Sequence, residues 1–292
     1  MSARQVVLLL AAIAIMVGTY VVAVRRFQQD TKLNQYAYSA ATPPADRLDV
    51  SAQVLGVSPL NDSLRVRFGF RPFGTYAADE FGRLASDVTV VIATVDGYRS
   101  VRLAAGEIPV AINKNIELAD GSPNDYPFDR YTARIGISAF ARSHAARRSI
   151  PVAIVLHYEE HLGNYAITPA RGPETRPAAV DLRLSIQRSA AIVTFSSMMY
   201  AAMVLVSTSV VVMTILVVVR RIEPDFSMML WSGALLFALP AVRNSLPDSP
   251  PLGSQSDFYI FMWAEFAVAL SMVTLTSYLL AKRARGEPST TA

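Results

Sequence analysis

Residues 190–219 read AAIVTFSSMMYAAMVLVSTSVVVMTILVVV, thirty positions without a charge, and Arg220 and Arg221 follow at once. A helix needs about 20 apolar residues to cross the hydrocarbon of a bilayer. The stretch is therefore expected to be a membrane-spanning helix. The residues before it are expected to form a separate domain that feeds into it, and the remainder of the chain is short and mostly apolar.

Working outward, residues 226–242 form a further apolar run that contains Pro240, and residues 258–281 form another. Between them, 243–257 (RNSLPDSPPLGSQSD) is rich in proline and serine and reads as an exposed, extracytoplasmic loop. Lys282, Arg283 and Arg285 open a polar tail, 282–292. Near the start, residues 6–24 (VVLLLAAIAIMVGTYVVAV) are apolar and are followed directly by Arg25 and Arg26. A signal peptide has a shorter apolar core and a small-residue cleavage site, so this run is expected to be an uncleaved transmembrane helix. The polar stretch 25–46 reads as a linker. This count gives four spanning helices. The basic clusters at 220–221 and 282–285 then share one side, which the positive-inside rule makes the cytoplasm. Both termini are expected to be cytoplasmic and residues 47–187 extracytoplasmic, in a multi-pass protein of the cell membrane.

Bulk composition agrees with several spans. Of 292 residues, 17% are charged and 52% hydrophobic, against about 25% charged in soluble domains. The net charge is only +4 and its basic residues flank apolar runs, so no nucleic-acid partner is expected. The chain has no cysteine, which excludes disulfides, thiol catalysis and thiolate metal sites.

Residues 47–187 change to strand-length pieces. Residues 63–70, SLRVRFGF, alternate so that Leu64, Val66, Phe68 and Phe70 face a core while Arg65 and Arg67 face water. Further strands are expected at 48–57, 87–95, 98–103, 108–118, 131–140, 152–158 and 180–186, with Asp96-Gly97 as a hairpin turn. Residues 71–84 and 141–148 read as loop or short helix. Many short strands with no amphipathic helix between them point to an antiparallel β-sandwich, Ig-like in general architecture. The fold class expected is thus a mixed membrane protein: an extracytoplasmic antiparallel β-sandwich plus four transmembrane α-helices. Only residues 187–189 separate the last strand from the long apolar stretch, a tie too short to let the domain swing freely.

Three groups of residues invite a chemical reading. Tyr126, Pro127, Phe128, Asp129 and Tyr131, in NDYPFDRY, read first as a turn. Phe128 and the tyrosines would pack the end of the sandwich while Asp129 accepts backbone N–H bonds; a ligand-facing aromatic loop is the alternative. His157, Glu159 and His161 would share one face of a strand, which makes them weak candidate metal ligands, although the zinc-protease pattern needs Glu directly after the first His on a helix. Glu265 lies inside an apolar run, where an ionisable group is costly and seeks a partner. Arg243, at the outer end of the preceding helix, is the expected one. The serines, threonines and methionines of 195–209 suit close helix packing or a partner helix. No cofactor is expected.

The order of parts, with YPFDRY at 126–131, resembles an uncharacterised integral-membrane family of mycobacteria and related actinobacteria, a domain of unknown function with a YPFD-aromatic motif. The resemblance implies the architecture and the membrane location and carries no reaction or ligand. YPFD-like strings also occur in the ectodomains of pentameric ligand-gated channels, whose flanking cysteines this chain lacks. Taken together, the residues point to a non-enzymatic binding or assembly component of the cell envelope, whose partners are the lipid bilayer and another envelope or membrane protein. A transporter or channel subunit using Glu265, and a metal-dependent envelope hydrolase using the two histidines, are the alternatives.

Overall fold

The computed structural model describes residues 14, 17–22, 24–25, 34–38, 43–142, 149–248 and 250–284. It divides into two compact units: one runs up to Ser122 and resumes over Phe128–Ala191, and the other holds Pro123–Pro127 and the chain from Ile192 onward.

The first unit is a β-sheet domain. Its strands are β1 (Asn34–Tyr38), β2 (Arg47–Ser58), β3 (Ser63–Phe73), β4 (Val88–Thr94), β5 (Gly97–Leu103), β6 (Ile112–Ala119), β7 (Arg130–Arg142), β8 (Ser149–Pro151), β9 (Ile154–Glu160), β10 (Tyr165–Arg171) and β11 (Ala179–Arg188). They pair in the order β1-β9-β2-β3-β6-β7-β11-β10, while β4 pairs with β5 and β7, and β8 with β7. Alternation drives the folding of each long strand. Leu48, Val50, Ala52 and Val54 of β2 are buried, as are Leu64, Val66, Phe68 and Phe70 of β3 and Leu182, Leu184 and Ile186 of β11. All join one apolar cluster. Each fully buried Leu, Ile or Phe contributes about 1.5–3 kcal/mol relative to its exposed state. A bulge between Val54 and Gly56 shifts the register of β2 against β3, and Leu55 is left 40% exposed.

Four expectations are corrected. The sheet is not wholly antiparallel, because β2 runs parallel to β9; an alternating pattern specifies which face is buried, not the direction of the neighbour. The stretch expected to be a linker contains β1, which pairs antiparallel with β9, a strand hidden by its polar composition. Residues 71–73 continue β3 rather than beginning a loop. The hairpin turn is Val95-Asp96, since Thr94 is already paired with Gly97, whose positive φ of 91° suits glycine. Residues 143–148 lie outside the described residues.

The second unit is helical: α1 (Ala190–Val218), α2 (Phe226–Asn244) and α3 (Met262–Ala284), the last preceded by a π-helical turn at Asp257–Phe261. Among the described residues these three, α3 taken with its π turn, are long and apolar enough to cross a membrane. At 1.5 Å per residue α1 is about 43 Å long, beyond the ~30 Å hydrocarbon core. Four such helices are not supported. The run at 6–24 falls largely outside the described residues, with 14, 17–22 and 24–25 helical. The buried positions of α1 are Ser196, Tyr200, Met203, Ser207, Val210, Thr214 and Val217, steps of four and three in turn. Those of α3 are Ala264, Val268, Ser271 and Leu275. This is a 3.5-residue repeat in which small side chains (Ser196, Ser207, Thr214, Ala264 and Ser271) alternate with larger ones, and small positions let helices without a hydrophobic drive pack closely in lipid.

Gly172 is buried where any side chain would collide: a Cβ there falls on the Asp181 carboxylate. Gly172→Ala is expected to destabilise the strand domain by about 1–3 kcal/mol, the cost of overpacking. Gly163→Ala, whose Cβ meets nothing within 4 Å, should stay within about 0.5 kcal/mol. Hydrogen exchange of the strand amides reads both, and equal protection in the two variants would contradict the packing.

Candidate functional site

Three polar centres stand out from the apolar interior, two in the strand domain and one in the helical unit. The first sits where β7 begins and β11 ends. Asp129 and Arg188 are both buried, and Arg188 Nε donates to Asp129 Oδ1 and Oδ2, each at 3.0 Å. The guanidinium carbon lies 4.6 Å from the centroid of Tyr165, its antiparallel neighbour on β10. Such a pair tolerates burial only because each charge meets the other. Tyr131 is buried alongside. Burial, then the charge of Asp129, pushes its phenol far above the ordinary 10.0.

The second centre lies on the outward side of β7 and β11. Arg134 Nε and Nη2 donate to Asp181 Oδ1 and Oδ2 at 2.6 and 3.0 Å, and Nη2 also lies 2.8 Å from Glu174 Oε2. Bonding to Asp181, then to Glu174, holds the guanidinium charged. Asp181 is itself buried. Its backbone is tied to a tight turn, with Gly172 N–H donating to Asp181 O at 2.8 Å and Thr175 Oγ1 to the same oxygen at 2.9 Å. Beside this knot opens a cleft of about 340 Å³. Ala93, Gly136, Ser138 and Ala179 are its small floor residues, and Tyr98, Glu117, Arg134 and Glu174 line it as well. Tyr98 is 81% exposed.

The third centre is in the helical unit. Arg243 is buried at the end of α2; its Nε and Nη2 donate to Asp257 Oδ1 and Oδ2 at 2.9 and 2.6 Å, and Nη2 also reaches the carbonyls of Pro250 and Pro251. Tyr200 donates to Ser256 at 2.7 Å, and the Ser254 and Ser256 hydroxyls lie 3.0 Å apart. Tyr126 meets Ser196 at 2.6 Å and belongs to the apolar cluster of this unit. One arginine thus gathers the loop between α2 and α3.

These contacts revise the expected sites. The string at 126–131 is divided: Tyr126 and Pro127 belong to the helical unit, while Phe128, Asp129 and Tyr131 belong to the strand domain. Phe128 does not pack; it is 69% exposed. Asp129 bonds a guanidinium instead of a turn. Arg243 serves Asp257, not Glu265, because Asp257, the first residue of the π turn before α3, offers both carboxylate oxygens and a bidentate pair is the stronger geometry. Glu265 Oε2 is buried and has no hydrogen-bond partner among the described residues. His157 Nε2 lies 3.4 Å from Asp49 Oδ2, and Asp49 also accepts from Arg47 at 2.7 Å. Glu159 lies two residues on along β9 and His161 just past its end. Among the described residues no three acidic or histidine side chains converge as a metal-binding group. Arg188, Arg134, Asp181 and Asp257 were not legible as site residues, because their partners are distant in sequence. An arginine standing directly before an apolar run was the one signal for Arg188.

Residues 38–184 match the family model described as a domain of unknown function, DUF4436. Residues 188–282 match a second, also described as a domain of unknown function, DUF8686. No curated protein matches the chain.

The geometry makes two outcomes testable. The folded domain holds the Tyr131 proton more tightly than the unfolded chain does. The contribution of Tyr131 to stability is therefore fully present below pH 10 and is lost as pH rises beyond it. Tyr131→Phe should make that alkaline decline shallower and leave the neutral range unchanged in pH-dependent unfolding; an unaltered slope would contradict the assignment. Arg243→Met should open residues 245–256 to limited proteolysis, whereas Arg221→Met, at an exposed position, should leave the digestion pattern as it was.

Proposed function

The chain belongs to the DUF4436 family, and on that footing we propose that it is a multi-pass plasma-membrane protein that binds or helps assemble components of the cell envelope. In this reading the strand domain is an extracytoplasmic β-sandwich, residues 6–24 add a fourth span, and both termini are cytoplasmic. The basic clusters at Arg220–Arg221 and Lys282–Arg283 support that orientation. The resemblance to actinobacterial membrane proteins points to the same setting.

The observation that carries the reading is the cleft beside Arg134. Its floor is made of small residues with one hydroxyl, Ser138, an exposed tyrosine lines it, and a bidentate ion pair marks one edge. A few placed polar groups around an apolar depression are the usual makings of a ligand site. The partner is another envelope or membrane component. Photo-crosslinking from a reactive analogue at Tyr98 in intact membranes should yield a defined adduct by mass spectrometry. Filling the floor with Gly136→Val should abolish it, since Gly136 lies on the outward side of β7 with only Ala93 Cβ within 4 Å of an added Cβ. Adducts confined to abundant neighbours, unchanged by Gly136→Val, would refute the reading.

A second reading, a transporter or channel subunit, draws on the unpartnered Glu265 Oε2 alone. Glu265→Gln would then abolish flux in reconstituted vesicles, and equal flux would remove it.

A further inference from the structure

Next to the Arg134 cleft, and sharing Thr94 with it, lies a second opening of about 420 Å³ between the β4–β5 hairpin and strands β3 and β6. Its chemistry is of the opposite kind. Arg65, Arg99 and Lys114 line it, Asn113 and Asn115 add two amides, and Asp96 is the one carboxylate among its described lining residues. Asp96 is partly engaged by Arg99 at 3.5 Å, with both side chains more than half exposed. Neither Arg65 nor Lys114 has an ion-pair partner among the described residues.

The strand register brings Arg65 and the two amides together, while Lys114, opposite Val66, alternates to the other side of β6 and lines the opening from there. Arg65 stands opposite Asn115 and Arg67 opposite Asn113, so cations and amides alternate across two neighbouring strands on their outer face. Arg67 continues the row from Arg65, about 7 Å further along β3 at two residues' rise. The end of the hairpin is pinned beside them by Val95 N–H donating to Asn115 O at 3.1 Å. That brings Arg99, from β5, to the same opening. Cations held in a concave, amide-lined site favour oxoanions, because charge-assisted hydrogen bonds to phosphate or carboxylate are stronger than those between neutral groups.

We propose that this opening binds an oxoanion group of an anionic polymer, with the Arg65–Arg67 row following successive charges of the same chain. The site is separate from the Arg134 cleft and stands whether or not that cleft holds a ligand.

The test uses the full chain in neutral detergent, titrated calorimetrically with inorganic tripolyphosphate, with trigalacturonate and with uncharged maltotriose. Saturable binding of either anion, none of maltotriose, and a loss on raising NaCl from about 50 to about 300 mM are expected. Binding of the first anion alone assigns the source as phosphate, and of the second alone as carboxylate. The combined variant Arg65→Ala/Lys114→Ala should weaken binding by about ten-fold or more. Arg171→Ala, at an exposed arginine on β10, and Gly136→Val in the neighbouring cleft should leave it unchanged. No anion binding, equal maltotriose binding, or an Arg65→Ala/Lys114→Ala variant that binds like the parent would overturn the proposal.

Discussion

Asp129 and Arg188 bury a full positive and a full negative charge against each other in the strand domain. Moving either from water into a protein interior costs several kcal/mol, and only the partner offsets it. The consequence is directional. Asp129 immediately precedes β7 and Arg188 closes β11, so the pair holds together the ends of two strands that are already in register from Gln187 and Arg130 onward. Tyr165 on β10 covers the guanidinium, and Tyr131 fills the space beside the carboxylate. The ends of three strands are thereby specified by charge as well as by apolar packing, at the last residues before the chain enters α1.

The same device recurs twice with different surroundings. Arg134 and Asp181 form a pair on the outward side of β7 and β11, half in water, and there the ion pair borders a cleft. Arg243 and Asp257 form a buried pair in the helical unit, where the arginine also donates to the Pro250 carbonyl and shares the Pro251 carbonyl with Ser254 N–H. Burial decides what each pair does: fully enclosed, it fixes the backbone; at an edge, it leaves donors and acceptors for something else. The cationic opening around Arg65 lies at the far end of that scale, since Arg65 and Lys114 have no ion-pair partner among the described residues and Arg99 meets Asp96 only across an exposed 3.5 Å contact.

Much of the fold was legible from local pattern. The long apolar helix, the alternation of β2 and β3, and the β4–β5 hairpin each arise from a rule that acts within ten residues or so. The features that escaped notice depended on partners far away. The strand at Asn34–Tyr38 is polar, and that at Tyr165–Arg171 carries Pro169, so neither has the alternation that marks a strand. The parallel pairing of β2 with β9 leaves no trace in either strand's pattern. Asp129 finds its arginine 59 residues on. Glu265 was visible as an oddity, but the expectation that the nearest arginine serves it failed, because Asp257, at the start of the π turn before α3, offers Arg243 a bidentate contact.

A double-mutant cycle on Asp129→Asn and Arg188→Met, with unfolding of the strand domain followed by hydrogen exchange, tests most directly whether this pair closes the domain. Each single change should cost about 3–5 kcal/mol by stranding the remaining charge, and the double variant should cost clearly less than the two together. Additive losses, or a single variant as stable as the parent, would mean that the domain closes without this pair and that its strand ends are set by apolar packing alone.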